Sequence, residues 1–358
     1  MTNRRRLLAG LCACAAIALA AGIPNPPALG AQRRAPRYEL DSSWPKPLPE
    51  RWIVAGLGGV CVDNQDHVFL LHRQDVLDAD LNAGQPAPLV IEIDPSGTVV
   101  NSWGDPALLD PRLHSCHFDG DDDMWIASAP SGMVQKYSHD GRRLLQQIGN
   151  KGVLDSSDGS PTGKPLNSNA AKFFMPSSLY VDRTNGDLYV SDGESAGGNR
   201  RVAVMDRNGA FLRQWRPEME TVHCLTVARD GLVYVCNRLA GRIQVYDKAG
   251  AFVRAIDVPW TPSTPVPPGK TREQGGSVVS IELSRDASQS LMFVINQNSA
   301  AIEVRDRTSG ALLSTIGNGS GHFPGQFDQA HGLAVDSQGN VYVAENRGKR
   351  VQKFRPVP

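Results

Sequence analysis

Short apolar runs alternate with polar turns along the chain from about residue 38 onward. One unit recurs: a small residue or histidine, a short apolar run, a turn centred on aspartate in most copies, and a second apolar run that contains an aromatic residue in most copies. Six copies begin at Gly58, His114, Ser177, His223, Val279 and His331. In most copies two further runs follow, separated by a glycine turn, as in residues 201–215. Six units of four short strands predict an all-β fold, a six-bladed β-propeller.

The last copy lacks one strand. Its third run, residues 350–354, leads to the end of the sequence with no fourth run behind it. Residues 38–44 have the pattern of the missing outer strand, and their pairing with the last copy would close the ring and remove an open sheet edge. We therefore predict one propeller domain over residues 38–358. The repeats resemble NHL repeats over residues 38–355, which implies a fold but no particular chemistry.

The N-terminal residues 1–31 have the pattern of a signal peptide. Arg4, Arg5 and Arg6 precede an alanine-rich apolar run at residues 7–23, and prolines and small residues follow it. The arginines before Leu7 also resemble a twin-arginine export signal. An uncleaved anchor is the alternative, but the run is short and weakly hydrophobic for a span of ~20 residues. The sequence predicts a periplasmic or secreted protein that is not an integral membrane protein.

Composition narrows the class of partner. The chain has 37 Lys and Arg against 37 Asp and Glu, a formal charge of zero, and no basic stripe interleaved with aromatic residues. A nucleic-acid binder needs clustered cations, so this class is excluded. A hydrophobic fraction of 41% excludes a disordered chain. We expect a monomer whose partner is a small molecule or a peptide.

Four cysteines remain beyond the signal peptide: Cys61, Cys116, Cys224 and Cys236. An oxidising compartment would allow them to pair. Cys224 and Cys236 flank the predicted turn at residues 228–231, so they can face each other across two strands if the register is right. Buried free thiols are the alternative, and the sequence leaves both open.

Histidines occupy the first position of alternate repeats. They are His114, His223 and His331, in the second, fourth and sixth copies. Inner strands of a propeller begin at this position, so the three imidazoles can converge on the channel axis. Three neutral imidazoles with a fourth position left free form a catalytic zinc site. The other five histidines share no such register and are expected to be structural or exposed: His67, His72, His117, His139 and His322.

Two arginines are predicted at the same mouth of the channel. Arg73 and Arg238 each follow the aromatic residue of a second strand by four positions, in the first and fourth copies. The second strand runs antiparallel to the first and so returns to the face where the histidines lie. A guanidinium binds a carboxylate through two parallel hydrogen bonds, which predicts a carboxylate substrate. Surface arginines paired with Asp75 or Asp78 are the alternative.

The same residues carry a family resemblance. Residues 59–63 with His72-Arg73, residues 189–193, Val222-His223 with Asn237-Arg238, and the histidines at 114 and 331 resemble peptidyl-α-hydroxyglycine α-amidating lyase and its bacterial relatives. The resemblance implies zinc on the three histidines. It also implies that the arginines bind the carboxylate of a peptide ending in α-hydroxyglycine, which is cleaved to an amide and glyoxylate.

Two positions depart from that family. Glu194 follows residues 189–193 where the family has a tyrosine that contacts zinc and is proposed as the base. A carboxylate can serve as a base or as an extra metal ligand, so Glu194 is a candidate catalytic residue. Gly332 follows His331 where the family uses an aspartate for a structural calcium, so calcium stays a possible second ion that this position does not support.

The function predicted from the sequence is that of an exported, zinc-dependent propeller enzyme. It would act on a small or peptidyl carboxylate by lyase-like or hydrolytic chemistry. The alternative, from another class, is a noncatalytic binding propeller of the cell envelope. The zinc content of the purified protein distinguishes the two.

Overall fold

The computed structural model describes residues 36–194, 197–260, 266–269 and 276–357, and the predicted signal peptide at residues 1–31 lies outside them. Six four-stranded sheets follow one another along this part of the chain, with neighbouring strands antiparallel. The inner strands of consecutive sheets contact each other, and the last contacts the first. The predicted all-β, six-bladed β-propeller is confirmed.

Each blade consists of four strands that run outward from the channel. From the inner to the outer strand, blade 1 contains Leu57–Val62, Val68–His72, Val90–Ile93 and Val99–Trp103. Blade 2 contains Ser115–Phe118, Met124–Ser128, Met133–Tyr137 and Leu144–Ile148. Blade 3 contains Pro176–Val181, Leu188–Asp192, Arg201–Met205 and Phe211–Trp215.

The remaining blades have the same order. Blade 4 contains Val222–Val227, Val233–Asn237, Arg242–Tyr246 and Phe252–Asp257. Blade 5 contains Val278–Leu283, Leu291–Asn296, Ala301–Asp306 and Leu312–Ile316. Blade 6 contains Ala330–Val335, Val341–Glu345, Val351–Val357 and, as its outer strand, Arg37–Leu40.

Little else is regular in the described residues. A parallel two-stranded sheet joins Trp52–Ile53 to Gln85–Pro86. Short 3-10 turns occur at Pro49–Arg51, Asp80–Asn82, Ala129–Ser131 and Gln297–Ser299. Within the described ranges, no helix has the length and apolar character needed to cross a membrane.

The ring closes through the N-terminal strand, as predicted. Arg37–Leu40 pairs antiparallel with Val351–Val357 over four residue pairs. Tyr38 also packs edge-on against Phe293 of blade 5, with ring centroids 5.9 Å apart. The strand therefore covers the outer edge of the last sheet and ties the two ends of the propeller together.

The turn of the repeat is built by an aspartate. The Oδ1 atoms of Asp63 and Asp336 each accept hydrogen bonds from the backbone N–H groups two and four residues further along. This turn fixes the step from the inner to the second strand. The third and fourth strands are joined at Gly209 in blade 3 and at Gly250 in blade 4, whose φ angles of 83° and 92° favour glycine.

The core lies between the blades. The aromatic residue of the second strand is almost fully buried in every blade: Phe69, Trp125, Tyr189, Tyr234, Phe293 and Tyr342. Each contacts the apolar face of a neighbouring blade, as Tyr189 does with Val227 and Val233. Burial of one such side chain contributes about 1.5–3 kcal/mol to folding. This packing fixes the positions of the inner strands around the channel.

The structure pairs the four cysteines. Cys224 and Cys236 bridge the first two strands of blade 4 across a Cα–Cα distance of 5.0 Å, at a bulge between Val222 and Leu225. Of the two alternatives that the sequence left open, the structure has the disulfide. Cys61 and Cys116, whose pairing the sequence does not specify, join the inner strands of blades 1 and 2 at 5.8 Å.

Candidate metal centre

The three histidines at the start of alternate inner strands meet at one end of the channel. The ring centroids of His114 and His331 are 4.7 Å apart, those of His114 and His223 are 5.2 Å apart, and those of His223 and His331 are 5.5 Å apart. One ring nitrogen from each lies within 4.8 Å of the other two, and all three residues are buried. The structure thus brings together the three residues that the repeat register places on the axis.

Backbone carbonyls orient two of the rings. His223 Nδ1 lies 2.8 Å from the carbonyl oxygen of Val279, and His331 Nδ1 lies 2.8 Å from that of Gly58. A carbonyl only accepts, so Nδ1 carries the proton in both rings, and Nε2 keeps its lone pair. Val279 and Gly58 hold the equivalent repeat position in the next blade around the ring. This is the arrangement that fixes a metal-binding imidazole.

Glu194 approaches the same point from blade 3. Its Oε2 atom lies 2.9 Å from His223 Nε2 and 3.3 Å from His114 Nε2. These three atoms are buried, yet none makes a hydrogen bond of acceptable geometry with any residue that the structure describes. Buried polar atoms are otherwise almost always hydrogen-bonded. Unpaired imidazole nitrogens and a carboxylate oxygen around one point fit a divalent metal ion of the zinc type.

The protonation states favour a cation at this point. Burial lowers the pKa of His114 and holds the pKa of His331 well below its ordinary value. Burial would raise the pKa of Glu194, but attraction to positive charge on His223 and His114 outweighs it and leaves that pKa well below the ordinary value. Because burial disfavours protons on His114 and His331, an ionised Glu194 needs another source of positive charge at this point. A bound cation would supply it.

A buried ion network holds the backbone beneath Glu194. Asp192 accepts hydrogen bonds from Met175 N at 2.9 Å and from the preceding amide at 2.8 Å. Arg201 binds Asp192 through Nε and Asp155 through Nη2, both at 3.0 Å, and all three side chains are buried. Glu194 N donates to Met175 O at 3.3 Å. No repeat pattern marks this network, and sequence reasoning missed it.

Both predicted arginines lie at this end of the channel. Arg238 Nη1 is 3.9 Å from Glu194 Oε1, Nη2 donates to Gln297 Oε1 at 3.1 Å, and Nε is buried without a partner. Arg73 Nε donates to Leu113 O at 3.3 Å, next to His114, and burial lowers its pKa. In the described part of the chain, neither pairs with Asp75 or Asp78 at the surface.

A glycine lies against each arginine. A Cβ on Gly58 would come within 1.9 Å of Leu113 O and 2.9 Å of Arg73 Nε, and a Cβ on Gly276 would come within 1.9 Å of Arg238 Cγ. A side chain at Gly58 would therefore collide with the backbone of Leu113 as well as with Arg73, and a side chain at Gly276 would displace Arg238. Gly58 occupies the repeat position that holds histidine in blades 2, 4 and 6, so blade 1 contributes an arginine to this mouth and no imidazole.

Gly332 offers no side chain for a calcium ion. A Cβ at this position would lie 2.9 Å from Gly59 Cα and from Val60 N. Because these contacts are with backbone atoms, an aspartate does not fit here without a shift of the inner strand of blade 1. These close backbone contacts therefore favour glycine at position 332.

Two of the remaining histidines show different roles. His72 is fully buried, and its Nε2 accepts a hydrogen bond from Ala55 N at 2.8 Å, so it is structural, as expected. His117 lies inside the channel wall, against Tyr180, and its Nε2 is buried without a hydrogen-bond partner. The structure therefore gives His117 an environment that the repeat register did not indicate.

Comparisons with known proteins agree with the fold. The NHL repeat family model matches residues 327–354. NHL repeat-containing protein 3 of Homo sapiens is 26% identical over 338 aligned positions, which cover 89% of this chain and 84% of that protein. The protein of the same name from Mus musculus is 26% identical over 287 positions, which cover 76% and 74%.

Two solved structures have the same architecture. A streptogramin B lyase superposes with a TM-score of 0.57 at 12% identity, over 89% of this chain and 98% of that one. A catalytically inactive variant of virginiamycin B lyase from Staphylococcus aureus, with quinupristin, superposes with a TM-score of 0.54 at 11% identity, over 90% and 100%. At these identities the likeness shows the fold alone. This chain is a six-bladed β-propeller that contains an NHL repeat.

Proposed function

We propose that this protein is an exported, zinc-dependent propeller enzyme that acts on a small or peptidyl carboxylate by lyase-like or hydrolytic chemistry. One observation carries the proposal. The unpaired, buried ligand atoms of His114, His223 and Glu194 lie around one point beside His331, at a channel mouth that also holds two arginines. Such a cluster costs stability unless it binds something.

The metal ligands in this proposal are the Nε2 atoms of His114, His223 and His331. Imidazole is a ligand type that suits zinc, and three histidines leave a further position free. Bound zinc would supply Lewis-acid polarisation of a substrate oxygen. The carbonyls of Val279 and Gly58 keep two of the rings in the tautomer that binding requires.

The arginines bind and orient the substrate. Within the described residues, Arg238 has a buried Nε–H without a partner, and the Arg73 side chain makes one hydrogen bond, to a backbone carbonyl. A carboxylate between them would satisfy these donors through bidentate contacts. The substrate group that reacts would then lie over the three histidines, within reach of Glu194. Orientation of this kind lowers the entropic part of the barrier.

Glu194 is the proposed base. Its carboxylate is ionised, and the Arg201 network fixes the backbone that carries it. Its Oε1 atom faces Arg238 at 3.9 Å, so it is the atom that would accept a proton from a hydroxyl of a bound substrate. A peptide that ends in α-hydroxyglycine carries both a carboxylate for the arginines and a hydroxyl for Glu194.

Both solved structures compared above are described as lyases, and one of them contains quinupristin. The shared fold is therefore compatible with lyase chemistry and does not specify it. The chemistry of this chain rests on its own residues.

A noncatalytic binding propeller of the cell envelope is the second candidate. Glu194 Oε2 lies as close to the histidine nitrogens as a fourth ligand would. Three histidines and one carboxylate would form a closed, four-ligand site, which is typical of structural zinc. In that case the mouth would bind a partner without turnover.

Metal analysis of the purified protein tests the proposal. We expect one zinc per chain in the wild type and a large loss of zinc in His223→Ala, with melting temperature measured alongside. His322→Ala is the matched control, because its side chain is 69% exposed. Zinc-free wild-type protein that still binds no added zinc would refute the proposal.

Glu194→Gln then separates the two candidates. If Glu194 is the base, the variant keeps zinc and loses release of glyoxylate from an α-hydroxyglycine peptide by roughly two to four orders of magnitude. If Glu194 closes a four-ligand site, the variant loses zinc affinity, and the wild type shows no turnover. Glu194→Tyr restores the residue of the amidating lyases, so increased glyoxylate release by that variant would identify the reaction type.

The arginines give an independent measurement. Arg238→Lys keeps the charge but loses the bidentate contact, so it should weaken a substrate with a free carboxylate and leave an amide-capped analogue almost unchanged. Arg347→Lys is the control, since that side chain is 64% exposed. Equal losses for both compounds in Arg238→Lys would contradict carboxylate recognition.

A further inference from the structure

A second cavity lies at the other end of the channel. It has a volume of 300 Å³, and its wall includes His117, Tyr180 and Glu282 from three inner strands. The channel space between these residues and the metal centre is only 50 Å³. That volume holds a few water molecules and nothing larger. A ligand in the second cavity is therefore separated from the metal centre.

Three arginines reach this cavity from one repeat position. Arg183, Arg229 and Arg285 each follow the first residue of the turn after the inner strand, in blades 3, 4 and 5, and all three line the cavity. The same position in the other blades holds Asn64, Gly120 and Ser337. Since those three blades form the same turn without an arginine, the repeat fold does not require one there.

The arginines contact only neutral groups. Arg285 donates to Val335 O at 3.0 Å and to Val62 O at 3.3 Å. Arg183 donates to Asn64 Oδ1 at 3.3 Å and to a backbone carbonyl at 3.4 Å, and Arg229 donates to backbone carbonyls of residues 285–287. Across the described ranges, no carboxylate forms an ion pair with any of the three.

The other charged groups of the cavity do not balance this charge. Asp182 pairs with Lys248, so the two neutralise each other. Burial raises the pKa of Glu282 to about 7, so near neutral pH this carboxyl is only partly ionised. Burial and the charges of Arg183 and Arg285 lower the pKa of His117 to about 3, so this ring is neutral. The cavity therefore has a net positive charge.

His117 adds an unpaired polar atom. Its Nε2 is buried and has no hydrogen-bond partner in the described part of the chain, while its ring packs against Tyr180 with centroids 4.4 Å apart. A buried ring nitrogen without a partner costs free energy that a ligand would recover. This atom lies in the wall that the narrow channel and the second cavity share.

We propose that the second cavity binds a small organic oxyanion, a carboxylate or a phosphate, through Arg183, Arg229 and Arg285. His117 Nε2 forms a hydrogen bond to another polar group of the same molecule. Guanidinium groups suit both oxyanions because they offer paired donors in one plane. A volume of 300 Å³ matches a small metabolite and excludes a peptide of several residues.

Calorimetric titration of the purified protein with succinate and, separately, with inorganic phosphate tests the proposal. We expect saturable binding of at least one anion. Arg285→Gln and Arg183→Gln should each weaken it roughly tenfold or more, because a hydrogen bond between charged groups is lost. Arg142→Gln is the control, since that side chain is 85% exposed. Arg285→Lys keeps the charge, so it tests the contact if the Gln variant does not fold.

The His223→Ala variant separates this cavity from the metal centre. Binding that persists in His223→Ala and is lost in the Arg285 variants supports the proposal. Preference for succinate identifies a carboxylate ligand, and preference for phosphate identifies a phosphate. Absence of saturable binding of either anion up to concentrations on the order of 10 mM, or equal binding by wild type and the folded Arg285 variants, overturns it. Loss of binding in His223→Ala alone also overturns it.

Discussion

Glu282 makes the stability of the propeller depend on pH in a direction that can be tested. Its carboxyl lies in the wall of the second cavity, where burial raises the pKa from 4.5 to about 7. Arg285 and a hydrogen bond from the backbone N–H of Leu283 act in the opposite direction and are too weak to cancel this effect. Tyr180 and the neutral ring of His117 line the same cavity. Glu282→Gln removes the titration and keeps the shape.

The sign follows from the two states. The unfolded chain releases the Glu282 proton near pH 4.5, whereas the folded chain keeps it until about pH 7. The stability that this proton provides is therefore complete below pH 4.5 and is lost as pH rises through 7. At 1.36 kcal/mol per pH unit, the loss is about 3 kcal/mol. The glutamine variant does not lose it, so it should be more stable than the wild type at about pH 8 by up to that amount.

Urea unfolding of both proteins at several values between about pH 4.5 and pH 8 measures this difference. His117 titrates with a pKa lowered to about 3 and changes stability in the reverse sense, but it is present in both proteins and cancels. Glu39→Gln is the control, because Glu39 is exposed on the outer strand of blade 6. A free-energy difference between Glu282→Gln and wild type that is constant over this pH range would refute the reasoning.

Two further predictions concern stability. Arg201→Met leaves Asp192 and Asp155 buried without their cation, so the free energy of unfolding should fall by about 3–5 kcal/mol; urea unfolding measures this loss, and zinc content should fall with it only if Glu194 is a metal ligand. Replacing the Cys61–Cys116 bridge with serines should cost about 4 kcal/mol, against about 3 kcal/mol for the Cys224–Cys236 bridge, because the first closes a 55-residue separation and the second only 12. Equal melting temperatures of the two double variants would contradict this order.

The repeat explains why so much of the fold could be predicted. Each blade repeats the same order of apolar strands and aspartate turns, so the number of blades and the closing strand follow from the pattern alone. The repeat register also predicts which side chains lie close together, because equivalent positions in a propeller lie at the same height along the channel axis. His114, His223 and His331 come together for this reason, and so do the arginines of the second cavity.

The contacts that the repeat pattern does not specify were not predicted from the sequence. The path of residues 150–172 brings Asp155 to Arg201, and no periodic pattern specifies that contact. The bridge from Cys61 to Cys116 depends on how far one blade is rotated against the next. The unpaired nitrogen of His117 depends on which side chains pack around it. These are tertiary contacts between loops and blades. No periodic pattern in the sequence specifies them, so they could not be predicted from it.

The chemistry proposed for the candidate metal centre depends on one carboxylate. Glu194 lies close enough to His223 to complete a ligand set, and its backbone is fixed by hydrogen bonds to Met175 and by the buried network beneath Asp192. If a metal ion binds the three histidines, a residue held this firmly beside it can serve as a ligand or as a base, but not as both in the same step. Its second oxygen, Oε1, faces Arg238, which is the side from which a carboxylate substrate would approach. A substrate carboxylate that binds Arg238 would compete with Glu194 for the guanidinium. Loss of that contact would free Glu194 to accept a proton, so binding of the substrate would itself activate the proposed base.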